Sequence, residues 1–522
     1  MKGRMMTRRR CLWMLTRTIL AGNWRMKQLL PLALSILTVL CADLSAADGQ
    51  TSEKSLRLVQ RYADALIEHG TDSFGHKHSR MLLSLMHRTK LAPFNSMPQA
   101  PSGIRPGDRV TTHGSNVNLD QNMYRVLYAL SEITGDSKYC KAADAALSEF
   151  LAISPSPKTK LFAWGEHLCW DLKADTCGTH EPKAIHEPKR PTVLFEKFYE
   201  LNAESIINYC DGLWEHQIYT DKNGKKDGNF SRHAAYDKHD PQPNYDFPKE
   251  GGYFIHDWAR AYAKTNEPRF LDYIDVLASR YIRKVKKTKN NLIAFDSVRG
   301  HASTSASMSL AVDCDHAAQM IMPGPVRDKL LWLANAIDEG LQGLPHEANG
   351  RGFAEYVTVE DDYKLYEHKQ NGGYSVAWNM KYGRKTTAML GVLFYRRYTQ
   401  LSQGPAKSRY SELVLQAAEK YLSTEPDMEE RPWPLEIGIV MFLQFAAHEM
   451  TGKQVYLNRA RHFGALGMST YWPDRSPLPK ADPQCNHYEN VTRADTLALA
   501  LLKLHVIENS LPIRMDISDV DR

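Results

Sequence analysis

His167, Glu187 and His233, with Arg232 directly before the last of them, are the residues of this chain whose types could build a metal-assisted reaction centre. Two imidazoles and one carboxylate suit Mn²⁺, Zn²⁺ or Fe²⁺ and leave coordination positions open for a substrate. They lie in a chemically dense stretch, Leu161 to Tyr236. It runs from Trp164-Gly165-Glu166-His167-Leu168-Cys169-Trp170-Asp171 through His180-Glu181 and His186-Glu187-Pro188-Lys189-Arg190 to Phe230-Ser231-Arg232-His233. The spacing is long-range, so the same histidines also read as helix-end residues bonded to backbone. His180-Glu181 competes with Glu187 to supply the carboxylate.

Other residues nearby suit an anionic sugar. Lys189 and Arg190 follow Glu187, and a bidentate Arg fits a carboxylate. Trp164, Trp170 and Tyr236 flank the ligand candidates and could stack on sugar rings. Further on, Tyr374, Trp378, Lys381 and Tyr382 sit in a Gly-containing segment before a helix, where a cleft loop is expected, and Arg351 in Asn349-Gly350-Arg351-Gly352 is another candidate cation. Each aromatic reads equally as core packing and each charge as a solvated loop. The chain has no phosphate-binding Gly loop, dinucleotide fingerprint or nucleophile elbow, and Gly178-Thr179-His180-Glu181 lacks the second helical His of a zinc protease.

The elements that must position these residues are helical. Ser55 to Glu68 puts Leu56, Val59, Tyr62, Ala63 and Leu66 on one face. The same period marks 120–133, 139–151, 201–215, 252–264, 302–319, 326–341, 386–401, 410–423, 435–448 and 492–507. A turn recurs between them: Thr134-Gly135 before Tyr139, Thr265-Asn266 before Phe270, and Thr451-Gly452 before Tyr456. A repeated turn between paired helices signals an array that buries its core between neighbours. About fourteen helices and little sheet are expected, an all-α fold most simply closed into an α/α toroid of roughly six or seven hairpins. An open solenoid is the alternative.

Composition bounds the rest. The net charge of +6 is slight and partly confined to the basic N-terminus, which argues against nucleic acid. Lys27, the apolar run Leu29 to Leu40 and Ser45-Ala46-Ala47 read as an export signal, with Met26 an alternative start. The run is shorter than the roughly 20 apolar residues of a membrane span. The organisation expected is a leader over 1–47, one catalytic toroid over 48–515 and a tail over 516–522, in a periplasmic or secreted protein with no membrane attachment after cleavage. Of the six cysteines beyond the leader, Cys169 with Cys177 is the one plausible local bridge.

Trp-Gly-x-His with a following aromatic-Asp, then His-Glu, then Arg-His, resembles the polysaccharide lyase family 2 pectate lyases, helical-barrel enzymes that act on the polygalacturonate of pectin. The resemblance rests mainly on Leu161 to Tyr236. It implies an acidic polysaccharide or oligosaccharide substrate and a divalent transition metal, Mn²⁺ before Zn²⁺, Fe²⁺, Ni²⁺ or Co²⁺. The ligands would be His167, Glu187 and His233, and the base Arg232. A guanidinium is normally never deprotonated, so Arg232 could instead bind a carboxylate while His239 or a Lys acts as base. Two rivals stay open: a glycoside hydrolase using two carboxylates such as Glu166 and Asp257, and a non-catalytic sugar-binding protein.

Overall fold

The computed structural model describes residues 53–296, 300–361, 363–367, 369–381, 384–517 and 521. The expected leader, Tyr382 and most of the expected tail lie outside the described residues. Among the described residues the chain forms thirteen helices. In order they are α1 (residues 53–69), α2 (Val117–Thr134), α3 (Lys138–Ile153), α4 (Phe195–Gln217), α5 (Pro248–Thr265), α6 (Pro268–Val285) and α7 (Thr304–Met320). They continue with α8 (Pro325–Gln342), α9 (Thr387–Gln400), α10 (Pro405–Ser423), α11 (Pro434–Thr451), α12 (Gln454–Tyr471) and α13 (Ala494–Glu508).

Burial sorts these helices into two rings. On α2, α5, α7, α9, α11 and α13 the buried residues run around most of the helix, as they must on a helix wrapped by neighbours. The partner helices bury one stripe; on α6 it is Phe270, Ile274, Leu277, Ala278, Tyr281 and Val285. Inner helix packs on inner helix from α5 through α7, α9 and α11 to α13, and α13 packs back on α2. Between α2 and α5 the ring is completed by the chain before α4. Asn118 donates to the Arg190 carbonyl (3.1 Å) and Gln121 to that of Pro191 (2.8 Å), while Thr192 donates to Asp257 on α5 (2.8 Å). The molecule is therefore a closed α/α toroid, not an open solenoid.

The recurring turn has one construction. Gly135, Asn266 and Gly452 cap their helices in the left-handed region, at φ 75°, 55° and 67°, and each cap N–H bonds back into the last turn. The preceding threonine acts twice. Its hydroxyl donates to the carbonyl four residues back, at 2.6 Å for Thr134, 2.8 Å for Thr265 and 2.6 Å for Thr451. It also accepts from the N–H two residues on, at 3.2 Å in all three. The cap N–H satisfies a carbonyl of the last turn that would otherwise lack a partner, and the threonine holds the N–H beyond the cap while the chain reverses.

Sheet is confined to short ribbons. β1 (Leu85–His87) pairs with a late strand, His487–Glu489; β2 (Gly114–Ser115), β3 (Cys169–Asp171) and β4 (Thr176–Gly178) form a second, and β5 (Ile185–His186) with β6 (Ala234–Ala235) a third. The one plausible local bridge, Cys169 with Cys177, does not form, and both thiols are free. Cys169 lies opposite Gly178 and Cys177 opposite Trp170, one register apart, so the two side chains leave opposite faces of the ribbon.

Candidate active site

Strand register brings the dispersed residues together. β5 and β6 pair Ile185 with Ala235 and His186 with Ala234, so one step further Glu187 faces His233. A parallel bridge then joins Gly165 to Glu187, and the Glu166 N–H donates to the Glu187 carbonyl at 3.0 Å, which delivers His167. Gly165 is required there: its φ is 109°, and a Cβ would sit 2.0 Å from the Glu187 carbonyl oxygen. Trp164, beneath it, donates its indole N–H to His186 at 3.2 Å.

One carboxylate collects both imidazoles and the guanidinium. Glu187 Oε2 is 2.6 Å from His233 Nε2 and 3.3 Å from His167 Nε2, while Oε1 is 2.7 Å from Arg232 Nε. One donor atom from each of His167, Glu187 and His233 lies within 4.8 Å of the others, a donor set that fits a divalent transition ion. The other nitrogen of His167 meets the Gly107 carbonyl at 3.1 Å, the kind of contact that fixes a ligand ring. Burial by itself would raise the Glu187 pKa, but the hydrogen bonds to His167 and His233 and the charge of Arg232 hold it well below the usual range. Burial would lower His167, but its hydrogen bond to Glu187, the charge of Glu166 and the Gly107 carbonyl together outweigh it, so His167 is raised. Desolvation likewise works against the Arg232 cation, and Glu187 and then Glu250 lift it above its ordinary value. The Arg232 side chain is packed on Phe247 at 4.0 Å and Tyr245 at 4.3 Å, and donates to the Tyr245 hydroxyl at 3.0 Å.

Glu187 and Arg232 open onto a cavity of about 400 Å³. It occupies the mouth of the ring to which the inner helices present their N-termini. Leu119 of α2, Lys249 of α5, Ser305 of α7, Lys385 just before α9, Trp433 at the start of α11 and Val491 just before α13 all line it. Partial positive charge at those ends favours an anion. The lining side chains add to it, with Lys189, Arg190, Arg232, Lys249, Lys369, Lys381, Arg384 and Lys385 against Asp108, Glu166 and Glu187. Lys385 is half-buried in this wall. Desolvation, then Lys249, with Arg190 and Lys189 adding to it, lowers its pKa to about 7.

The other expected residues divide. Lys189, Arg190 and Lys381 line the cavity, with Lys189 2.6 Å from Glu166 and Lys381 3.2 Å from Glu430. The expected sugar platforms are corrected: Trp164, Trp170, Tyr236 and Trp378 do not line it. Trp164 is fully buried, Trp170 is buried in β3, Tyr236 donates to the Ser154 carbonyl at 2.7 Å, and Trp378 packs edge-on against Tyr421. Arg351 is also outside, exposed and paired with Glu347. Glu181 is absent from the histidine group, whose carboxylate is Glu187. His239 pairs with His216 at 3.1 Å, away from the lining. Asp257 is held by Thr192 and is not in the lining, so it does not face Glu166 across the cavity.

Sequence reading missed Lys249, Lys369, Arg384, Lys385, Tyr245 and Phe247. These residues gather at the mouth because they lie at or just before the starts of the inner helices or on the loops beside them, which becomes apparent only once the ring is closed. No helix among the described residues is long and apolar enough to cross a membrane.

Residues 100–278 match the family model described as periplasmic pectate lyase. A pectate disaccharide-lyase of Dickeya dadantii (strain 3937) is 29% identical over 107 residues, 20% of this chain and 19% of that protein. The match thus spans about a fifth of that relative's length. Among solved structures, an α-1,6-mannanase from Salegentibacter sp. HEL1_6 in complex with α-1,6-mannotetrose aligns with a TM-score of 0.41 and 11% identity over 86% of this chain and 98% of its own. An unsaturated glucuronyl hydrolase specific for heparin aligns at 0.43 and 10% over 88% and 97%. Residues 100–278 of this chain are thus similar to the periplasmic pectate lyases.

Proposed function

We propose that this protein is an exported polysaccharide lyase that cleaves pectate or a related uronan by metal-assisted β-elimination. The observation that carries this reading is the basic cavity at the mouth of the ring, with Glu187, the carboxylate that His167 and His233 share, in its wall. A chamber so rich in cations suits a polymer with a carboxylate on every sugar.

In a uronan the C5 proton is acidic because it lies α to the carboxylate, onto which charge spreads as the proton leaves. Lys189, Arg190, Lys249 and Lys385 are the side chains to hold that carboxylate. As a base removes the C5 proton, the electron pair forms the C4–C5 double bond, and the C4 oxygen departs and gains a proton. Arg232 is the base implied by the family resemblance, and it lies against the same wall. Its ion pair with Glu187 opposes proton loss. A divalent ion held by His167, Glu187 and His233 would supply Lewis-acid charge there and draw the Glu187 carboxylate away from the guanidinium. If Arg232 keeps its proton, it binds carboxylate and Lys385 takes the base role, with a pKa matched to neutral pH.

The test is polygalacturonate with the full chain, with and without chelator and added Mn²⁺, followed by ultraviolet absorbance of the unsaturated product. Reducing ends appearing without that absorbance would replace elimination by hydrolysis. Binding without any shortening of the polymer would leave a sugar-binding protein.

A further inference from the structure

Away from the mouth, α5 and α7 carry a second group of ligand-type side chains: His256, Asp313 and His316. His256 lies eight residues into α5, Asp313 nine residues into α7 and His316 one turn further. At about 1.5 Å per residue this is roughly 12–18 Å down the helices, and none of the three lines the cavity. His256 and Asp313 are buried and His316 is half-buried.

The arrangement follows from helix geometry. Asp313 and His316 are three apart on α7, so they share a face, and the neighbouring inner helix brings His256 to it. An acidic residue followed three positions later by His, facing ligands on an adjacent helix, is a way helical bundles build metal sites. One donor atom from each residue lies within 4.8 Å of the others. The His256 and His316 rings stack, with centroids 5.3 Å apart and planes at 29°. His256 Nδ1 and Asp313 Oδ1 are 3.4 Å apart. That is long for an N–H···O hydrogen bond, which is usually about 2.7–3.2 Å. It equals the edge of a tetrahedron whose ligands stand about 2.0–2.1 Å from a central Zn²⁺. Gly252 keeps the space open, since a Cβ there would lie 2.7 Å from Asp313 Oδ2.

We infer that His256, Asp313 and His316 form a second divalent transition-metal site that clamps α5 to α7. Two imidazoles favour Zn²⁺, Co²⁺ or Ni²⁺ over Mg²⁺ or Ca²⁺, which prefer all-oxygen ligands. His316 is half-buried, so this group is less enclosed than His256 and Asp313 beside it. The site is independent of the proposed elimination and needs no substrate.

The experiment uses the full chain carrying His167→Ala and His233→Ala, so that the mouth is disabled as a metal site. This protein is loaded with Zn²⁺, desalted and assayed for bound metal. One retained equivalent is expected, together with visible absorption of a low-coordinate ion when Co²⁺ replaces Zn²⁺. Adding His316→Ala should remove both, and Zn²⁺ should raise the melting temperature of the parent but not of that variant. Zero retained equivalents in the His167→Ala/His233→Ala chain overturns the proposal without reference to any further variant. So does an equivalent that persists unchanged through both His316→Ala and Asp313→Asn.

Discussion

Arg232 Nε stands 2.7 Å from Glu187 Oε1, and the opposite oxygen of that carboxylate is shared by two imidazoles. One buried acid therefore anchors the whole proposed reaction centre. Glu187→Gln should abolish metal retention at the mouth and bring turnover of polygalacturonate to background. It should also cost about 3 kcal/mol in the metal-free protein, because it removes the nearest counter-charge of a buried guanidinium and leaves Glu250 behind it. Metal content and urea midpoints check the two parts. A Glu187→Gln protein that retains as many metal equivalents as the unmutated chain would show that the carboxylate is not a ligand.

The two base candidates separate kinetically. If Arg232 is the base, Arg232→Ala lowers kcat by about 100-fold or more, the usual worth of a positioned base, and leaves KM nearly unchanged. Arg232→Lys then does not rescue. If Arg232 only grips a carboxylate, the same change raises KM and Lys partly restores it, while Lys385→Ala removes kcat. Ultraviolet initial rates over a substrate series decide between these patterns.

Lys385 also predicts a pH dependence. Its folded pKa of about 7 lies below that of a lysine in water, so the folded protein releases this proton while the unfolded chain still holds it. Stability should therefore rise with pH from about 7 upward as the buried charge is relieved. Affinity for an acidic oligosaccharide should move the other way and weaken above pH 7. Calorimetric titration with trigalacturonate at pH 6, 7 and 8 measures that slope. Lys385→Gln should flatten it; an unchanged slope would mean another group is titrating.

What could be read from the chain followed from how sharply a residue type constrains its surroundings. His167, Glu187 and His233 could be picked out only through the order of Trp-Gly-x-His, His-Glu and Arg-His that they share with the pectate lyases, since long-range spacing alone left the two histidines as helix-end residues; the fold brings their donor atoms together. Paired helices were legible because Phe270, Ile274, Leu277 and Tyr281 repeat at helical spacing. Ring closure was not, because α13 meets α2 only through contacts between the two ends of the chain. Trp164 misled because an indole suits a sugar and a core equally, and its burial is set by Phe150, Phe162 and Phe198 around it. Lys385 was invisible for the opposite reason: one lysine before a helix looks like any other until the ring gathers six helix starts in one place.

The repeated turn gives the last prediction. Gly135 and Gly452 have positive φ, yet a Cβ at either would meet nothing within 4 Å. Their replacement by Ala therefore costs backbone strain alone, about 1 kcal/mol each. The middle turn already carries Asn266 at φ 55°, a residue that tolerates this region, so Asn266→Gly should be nearly neutral. The threonine hydroxyls act differently, since each bonds a helix-end carbonyl and the N–H beyond the cap. Thr265→Val leaves both without that partner and should cost about 1–2 kcal/mol. Urea midpoints rank the variants. Should Gly452→Ala leave the midpoint unmoved while Thr451→Val lowers it, the side-chain bonds rather than the left-handed cap would be what sets the reversal between inner and outer helices.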